Sequence, residues 1–271
     1  SKHEKKDGTG KLAVVTGSSS GIGLAIARQL AMNGFDLALV SEEARIFECA
    51  GDLESLGVQA RAYQYDLANR DEVQDFFRSL RDLKRPIHVL VLNAGVGVNG
   101  KFVNEISLEE DLNLIDLNIA SVVQLAKLVL PEMVKRHSGR VLITSSVAAL
   151  MPGPFYATYA ASKSFLLSFS EALFNELKDV GVSVTALMPG PTDTNFFARA
   201  GMENTKAGES EKDDPELVAK QAYEAMMKGE DRVIAGSFSN KLQGLTTHLL
   251  SEKMRARLHR NLVEPKSAKR N

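Results

Sequence analysis

The stretch YATYAASKSF, residues 156 to 165, places Tyr156 and Tyr159 upstream of Lys163. On a helix, residues four apart stack on one face, so Tyr159 and Lys163 are neighbours. Tyr156 lies two turns from the lysine on a similar face, so spacing alone does not exclude it. Reducing a carbonyl by hydride needs a proton donor at the new alkoxide, and oxidising an alcohol needs the reverse. A free tyrosine, with a pKa of about 10, is a poor base at neutral pH. An ammonium about 4 Å away, at an effective dielectric near 20, favours the phenolate by up to roughly 4 kcal/mol, about 3 pKa units. That brings the phenol toward the range useful for general acid–base catalysis. Over two turns the effect shrinks severalfold, which makes Tyr159 the better candidate. A Tyr near a Lys is common, however, and the rest of the chain must carry the argument.

A second group could bind a phosphate. Gly17, Ser18, Ser19, Ser20, Gly21, Ile22 and Gly23 follow the apolar run LAVV and open a helical stretch. Glycines there allow a tight turn and close backbone approach to a pyrophosphate, and the helix start adds unpaired N–H groups. The bland alternative is a Gly/Ser-rich turn without a ligand. The strand–turn–helix context favours the nucleotide.

These residues need a scaffold. Apolar runs at 12–15, 36–40, 58–65, 87–92, 140–144, 182–187 and 232–236 read as strands. Helix-period segments separate them, including long ones at 108–133 and from the Tyr/Lys segment to about residue 180. Another begins near Pro215, after a polar loop near 200–214. The expected fold class is α/β: one domain, with a Rossmann-type doubly wound, seven-stranded parallel sheet and helices on both faces. Ligands then bind at the carboxyl ends of the strands. The predicted division is a flexible lead over 1–10, a catalytic domain over 11–240, and a helical extension with a frayed basic tail over 241–271.

Composition bounds the function. The chain has 271 residues, 44% apolar and 25% charged, enough for a sizeable core. Lys+Arg (33) balances Asp+Glu (34), and no basic stripe carries interleaved aromatics, so nucleic acid is not an expected partner. The single cysteine, Cys49, forms no intrachain disulfide, and a reducing, cytoplasmic setting is expected. The N-terminal SKHEKKDGTG lacks the apolar core of a signal peptide. No apolar run approaches the roughly 20 residues of a membrane span, so no stable insertion is expected. No metal site is expected either.

The order and spacing of the motifs resemble those of the classical short-chain dehydrogenases/reductases, over about residues 10 to 235. Gly17-x-x-x-Gly21-x-Gly23 matches that family's variant of the dinucleotide turn. Asp66-Leu67 resembles its adenine-contacting pair, and Asn93-Ala94-Gly95 its N-A-G turn. Tyr159-x-x-x-Lys163 matches its catalytic Y-x-x-x-K. The family's catalytic serine lies thirteen positions before the tyrosine, at Ser146 here, where its hydroxyl would meet the substrate oxygen. Ser145 is expected to be a turn residue with its side chain turned elsewhere. Asn118 in LNIAS corresponds to the active-site asparagine, which bends its helix and holds a water in the proton relay. Lys163 would also bind the nicotinamide ribose. Pro189, Gly190, Thr192 and Thr194, in PGPTDT, resemble the segment that holds the nicotinamide carboxamide.

The second strand end bears on the cofactor. It reads Val40-Ser41-Glu42-Glu43. Carboxylates repel a 2′-phosphate and accept hydrogen bonds from a free 2′-hydroxyl, which favours NAD(H) over NADP(H). The usual NAD-specifying Asp is missing, with Ser41 in its place, and Ser18 and Ser19 remain as phosphate donors. Around the substrate, Val96, Ala148, Tyr156 and Phe196 mark the expected walls, which offer no cationic clamp. A neutral or partly apolar carbonyl substrate is therefore expected. The resemblance implies an NAD(P)-dependent enzyme that interconverts a secondary alcohol and a ketone or aldehyde, as a homodimer or homotetramer. A 3-oxoacyl or hydroxysteroid reductase is the specific alternative, and a non-catalytic nucleotide-binding scaffold the other. The C-terminal segment LQGLTTHLLSEKMRARLHRNLV departs from many family members, and puts a tetrameric interface in question.

Overall fold

The computed structural model describes residues 5–192, 212–237 and 260–261. Seven strands form one parallel sheet: β1 (Leu12–Thr16), β2 (Asp36–Ser41), β3 (Ala60–Gln64), β4 (Ile87–Leu92), β5 (Gly139–Thr144), β6 (Val182–Pro189) and β7 (Arg232–Ala235). Their order is β3-β2-β1-β4-β5-β6-β7. The order reverses between β1 and β4, which opens a crevice at their carboxyl ends. This is the Rossmann-type architecture expected from the strand–helix alternation.

Both faces of the sheet are covered because side chains alternate along each strand. Ala13 and Val15 of β1 point to one face, with Leu37 and Leu39 of β2. Against them pack Ala27 and Leu30 of α1 (Gly21–Met32), and Val218 and Ala222 of α7 (Pro215–Lys228). Leu12 and Val14 point to the other face. There they meet Phe76 and Leu80 of α3 (Arg70–Asp82), Leu125 and Val129 of α5 (Ser121–Arg136), and Leu166 of α6 (Ala157–Leu177). A strand buried on both faces reads as an unbroken apolar run, as LAVV does.

Local chemistry sets the helix limits. The Asn69 side chain accepts from the N–H groups of Asp71 and Glu72 and starts α3. Ser107 and Glu110 form a capping box at α4 (Leu108–Ile115). Asp214 caps α7, with Pro215 in its first turn. Gly229 closes α7 at φ +70°.

One expectation changes in detail. The long helix predicted over 108–133 is two helices, α4 and α5, joined by a π-helical turn over Asp116–Ala120. The extra residue in that turn carries Asn118 inward, as the next section describes. By length and composition the span Leu108–Arg136 (29 residues), within which an 18-residue window reaches a mean hydropathy of 1.5, is long and apolar enough to cross a membrane, a test that the core helix of a soluble domain also passes. The apolar side of this span lies in the domain core, through Leu114, Val122, Leu125, Val129 and Met133.

Candidate active site

The glycine turn leaves β1 at the crevice. Gly17 takes φ +62° and Gly21 φ +55°, a region that L side chains rarely adopt. Close packing makes a stricter demand. A Cβ on Gly23 would sit 2.1 Å from the Gly17 carbonyl oxygen, and one on Gly17 would sit 2.8 Å from the Ala94 Cα. α1 begins after Ser20 with no side-chain cap, so its first N–H groups face the crevice.

Asn93 ties three strands together beside this turn. Its Nδ2 donates to the Gly17 carbonyl (3.2 Å), and its Oδ1 accepts from the Thr144 hydroxyl (2.9 Å). Thr16 Oγ1 accepts from the N–H groups of Asn93 and Ala94, both at 2.9 Å. Thr16 and Thr144 were missed in the sequence reading. Their signal is position: each is a hydroxyl at the last residue of a crevice-facing strand.

The serines of the turn differ in their partners. Ser18 is fully buried and its hydroxyl donates to the Val15 carbonyl at 3.0 Å. Ser41 donates to Ser19 Oγ at 2.9 Å and accepts from the Glu43 N–H at 3.1 Å. It thus braces the end of β2 against the turn. Glu42 is exposed beside it. Asp66 Oδ1 accepts from the Ala68 N–H (2.9 Å), and Leu67 is buried against the sheet.

The four residues of the catalytic motif converge at the ends of β4 and β5. Asn118 is fully buried, and its amide makes a paired contact with Val96: the Val96 N–H donates to Oδ1 and Nδ2 donates to the Val96 carbonyl, both 2.9 Å. Nδ2 also reaches Ser162 Oγ at 3.2 Å, a partner the sequence gave no sign of. Gly95 is wedged between: a Cβ there would lie 3.3 Å from Asn118 Oδ1 and 3.6 Å from Lys163 Nζ. Ser146 accepts from the Ala148 N–H at 3.1 Å and hydrogen-bonds Tyr159. Ser145 turns away, donating to the Lys163 carbonyl at 2.8 Å. Lys163 Nζ donates to the Thr144 carbonyl at 3.1 Å and lies 5.6 Å from the centre of the Tyr159 ring.

Electrostatics here differ from the expected depressed tyrosine. Burial pushes the Tyr159 hydroxyl well above the ordinary phenol range, and the Ser146 hydrogen bond draws it only partly back. Burial also lowers Lys163 to about 8. Desolvation disfavours both charged forms and outweighs their mutual attraction. Tyr156 stacks on Tyr159 with ring centres 5.6 Å apart, and burial pushes its hydroxyl up as well. Both tyrosines pack with Leu114, Ala148 and Ala160, against Val96, Val98 and Phe155. Arg260 of the C-terminal extension places its guanidinium 5.1 Å from the Phe155 ring centre.

Pro189 ends β6, and Thr192 Oγ1 donates to the Gly190 carbonyl at 3.0 Å. Thr194 and Phe196 lie outside the described residues.

The family model for short chain dehydrogenases matches residues 11–205. The chain belongs to that family. This short chain dehydrogenase is 34% identical to the oxidoreductase UcpA of Salmonella typhimurium, over 80% of its own length and 81% of that protein. It is also 34% identical to the very-long-chain 3-oxoacyl-CoA reductase of Anas platyrhynchos, over 79% and 68%. A short-chain dehydrogenase from Sphingobium yanoikuyae, solved in complex with NADPH, superposes with a TM-score of 0.77 at 30% identity, covering 88% and 94%. This dehydrogenase shares the Rossmann-type sheet of that neighbour.

Proposed function

We propose that the chain interconverts a secondary alcohol and a ketone or aldehyde, with Tyr159 handling the proton. The observation that carries this reading is the Ser146–Tyr159 hydrogen bond beside a buried Lys163. The residues present fit a dinucleotide by their chemistry: the positive-φ glycines Gly17 and Gly21 turn the backbone at the carboxyl end of β1, and the start of α1, which has no side-chain cap, offers N–H groups to a phosphate. A bound nicotinamide dinucleotide supplies or takes the hydride. Ser146 orients the substrate oxygen, and Tyr159 gives it a proton in reduction. Burial keeps Tyr159 protonated at rest, so carbonyl reduction is the direction for which it starts loaded. Lys163, below pH 8, stabilises the phenolate that reduction leaves. Asn118 holds the Val96 wall and the lysine's surroundings in place.

We further propose NAD(H) as the preferred nucleotide, because the exposed Glu42 carboxylate follows Ser41 at the end of β2. The substrate is a neutral, partly apolar carbonyl, given the walls of Val96, Ala148 and Tyr156. A 3-oxoacyl substrate is the second reading, and the printed activity of the Anas relative favours it. A homodimer or homotetramer has support from the apolar residues exposed on α4 and α6, Leu108, Leu112 and Phe165. Cytoplasmic residence rests on the single buried cysteine.

The test is turnover of a panel of ketones and 3-oxoacyl thioesters, followed by nicotinamide absorbance with NADH and NADPH separately. Turnover of plain ketones supports the first reading, and turnover of thioesters alone supports the second. No turnover of either, with nucleotide bound, returns the non-catalytic scaffold.

A further inference from the structure

The opposite edge of the sheet holds a cavity that the proposed reaction does not use. It has a volume of about 330 Å³ and lies where β1, β4, β5 and β6 begin. Four basic side chains line it: Lys11, His88, Arg140 and Lys178. No carboxylate does, among the described residues. Phe35, Phe174 and Met227 supply apolar wall. On β5, Arg140 stands at this edge and Thr144 at the crevice, about 13 Å apart at 3.3 Å per residue.

Like charges gathered in one cavity repel one another; Asp7, which like Arg140 acts on the Tyr223 hydroxyl, offsets part of this on the Arg140 side, and an anion in the cavity relieves the rest. Helix C-termini also attract cations, and Arg140 serves in that way, donating to the Met226 carbonyl at 3.3 Å near the end of α7. Lys178 stands likewise at the end of α6, as its C-cap residue, but that explanation does not cover Lys11, and neither lysine's side chain makes a hydrogen bond or ion pair among the described residues. Two further groups are unsatisfied. His88 Nδ1 and Ser183 Oγ are buried without a hydrogen-bond partner, and both residues line the cavity. Turning Ser183 Oγ toward a ligand breaks no bond and makes one, whereas the His88 ring also bonds the Pro86 backbone. Burial, then the charges of Arg136, Lys11 and Arg85, hold His88 below its ordinary value. Its ring is therefore neutral at pH 7 and can both donate and accept.

We propose that this amino-edge cavity is a second ligand site, for a small carboxylate with an apolar body. The carboxylate meets Lys11, Lys178 and Arg140, and the body lies against Phe35, Phe174 and Met227. The volume is at the low end for small-molecule sites, which suits an aromatic or short-chain acid and excludes a dinucleotide. The site bridges the first residues of four strands, so its ligand stabilises the sheet without touching the crevice.

The test titrates the full chain with benzoate by calorimetry, and with the neutral isostere benzamide. Saturable benzoate binding is expected, with benzamide at least about tenfold weaker and the Lys11→Met/Lys178→Met variant weakened by at least about tenfold. In parallel, the chain is labelled on its methionine methyls. Benzoate should move the Met227 resonance and leave that of Met151, beside the candidate active site, in place. This readout needs no variant and decides the matter if the double variant does not fold. No saturable binding, equal binding of benzamide, equal binding by a folded double variant, or movement of Met151 instead of Met227 overturns the proposal.

Discussion

The Asn118 side chain and the Val96 backbone exchange two hydrogen bonds, each 2.9 Å long. A side-chain amide here pairs with a peptide unit as a neighbouring strand would, and so extends order past the end of β4. Asn118→Ala removes both partners at once and leaves a buried N–H and C=O unpaired. The expected cost is about 2–4 kcal/mol of stability. Turnover should fall more than tenfold while nucleotide binding falls less. Denaturant melts and steady-state kinetics check this, and unchanged stability would show that Val96 finds other partners.

Tyr156 and Tyr159 are both buried and stacked, so their environments do not distinguish them by exposure. Their partners do, since Ser146 bonds Tyr159 and Lys163 lies over its ring. Tyr159→Phe is expected to bind nucleotide normally and lose about 10²–10⁴ in turnover. Tyr156→Phe should retain turnover within a few fold. Reversed results would move the proton chemistry to Tyr156.

Lys163 is stabilising for chemistry and costly for folding. Its ionisation is lowered from 10.5 to about 8, so the charged form is disfavoured in the fold. The penalty is fully present below pH 8 and is relieved as pH rises toward 10.5, where the folded chain has already shed the proton that the unfolded chain still holds. Lys163→Met should therefore raise stability at pH 7 by about 2 kcal/mol, after allowing for the lost bond to the Thr144 carbonyl, and abolish turnover. Thermal melts from pH 6 to pH 10 should show the gap closing as pH rises. A gap that widens would mean the ammonium is well solvated in the fold.

Glu42→Arg is expected to shift preference toward NADPH by about tenfold or more, read by nicotinamide fluorescence titration. If the unaltered chain already binds NADPH more tightly, Arg45, at the start of the helix over Ile46–Glu54, is the base to remove next.

Much of this was legible in the sequence, for a reason particular to parallel sheets. LAVV and IHVLVL are buried on both faces, so their apolar runs end where the crevice begins, and each motif sits at such an end. The π turn around Asn118 was legible only as a bend implied by resemblance, because one extra residue in a helix leaves the apolar period almost intact. The roles of Thr16, Thr144 and Ser162 were not legible, since each depends on which strand or helix lies opposite. The raised Tyr159 hydroxyl was missed because spacing reports the nearness of a charge and not the loss of water around it.

Thr192 and Asp213 form a parallel bridge, and the Asp213 N–H donates to the Pro191 carbonyl at 3.0 Å. The chain leaves β6 and returns toward α7 through one point. The residues between Thr192 and Asp213 are thus bounded at both ends by paired backbone. Changing their number costs closure entropy only logarithmically. A change of length between those two points therefore reaches the sheet only through a junction that is already paired.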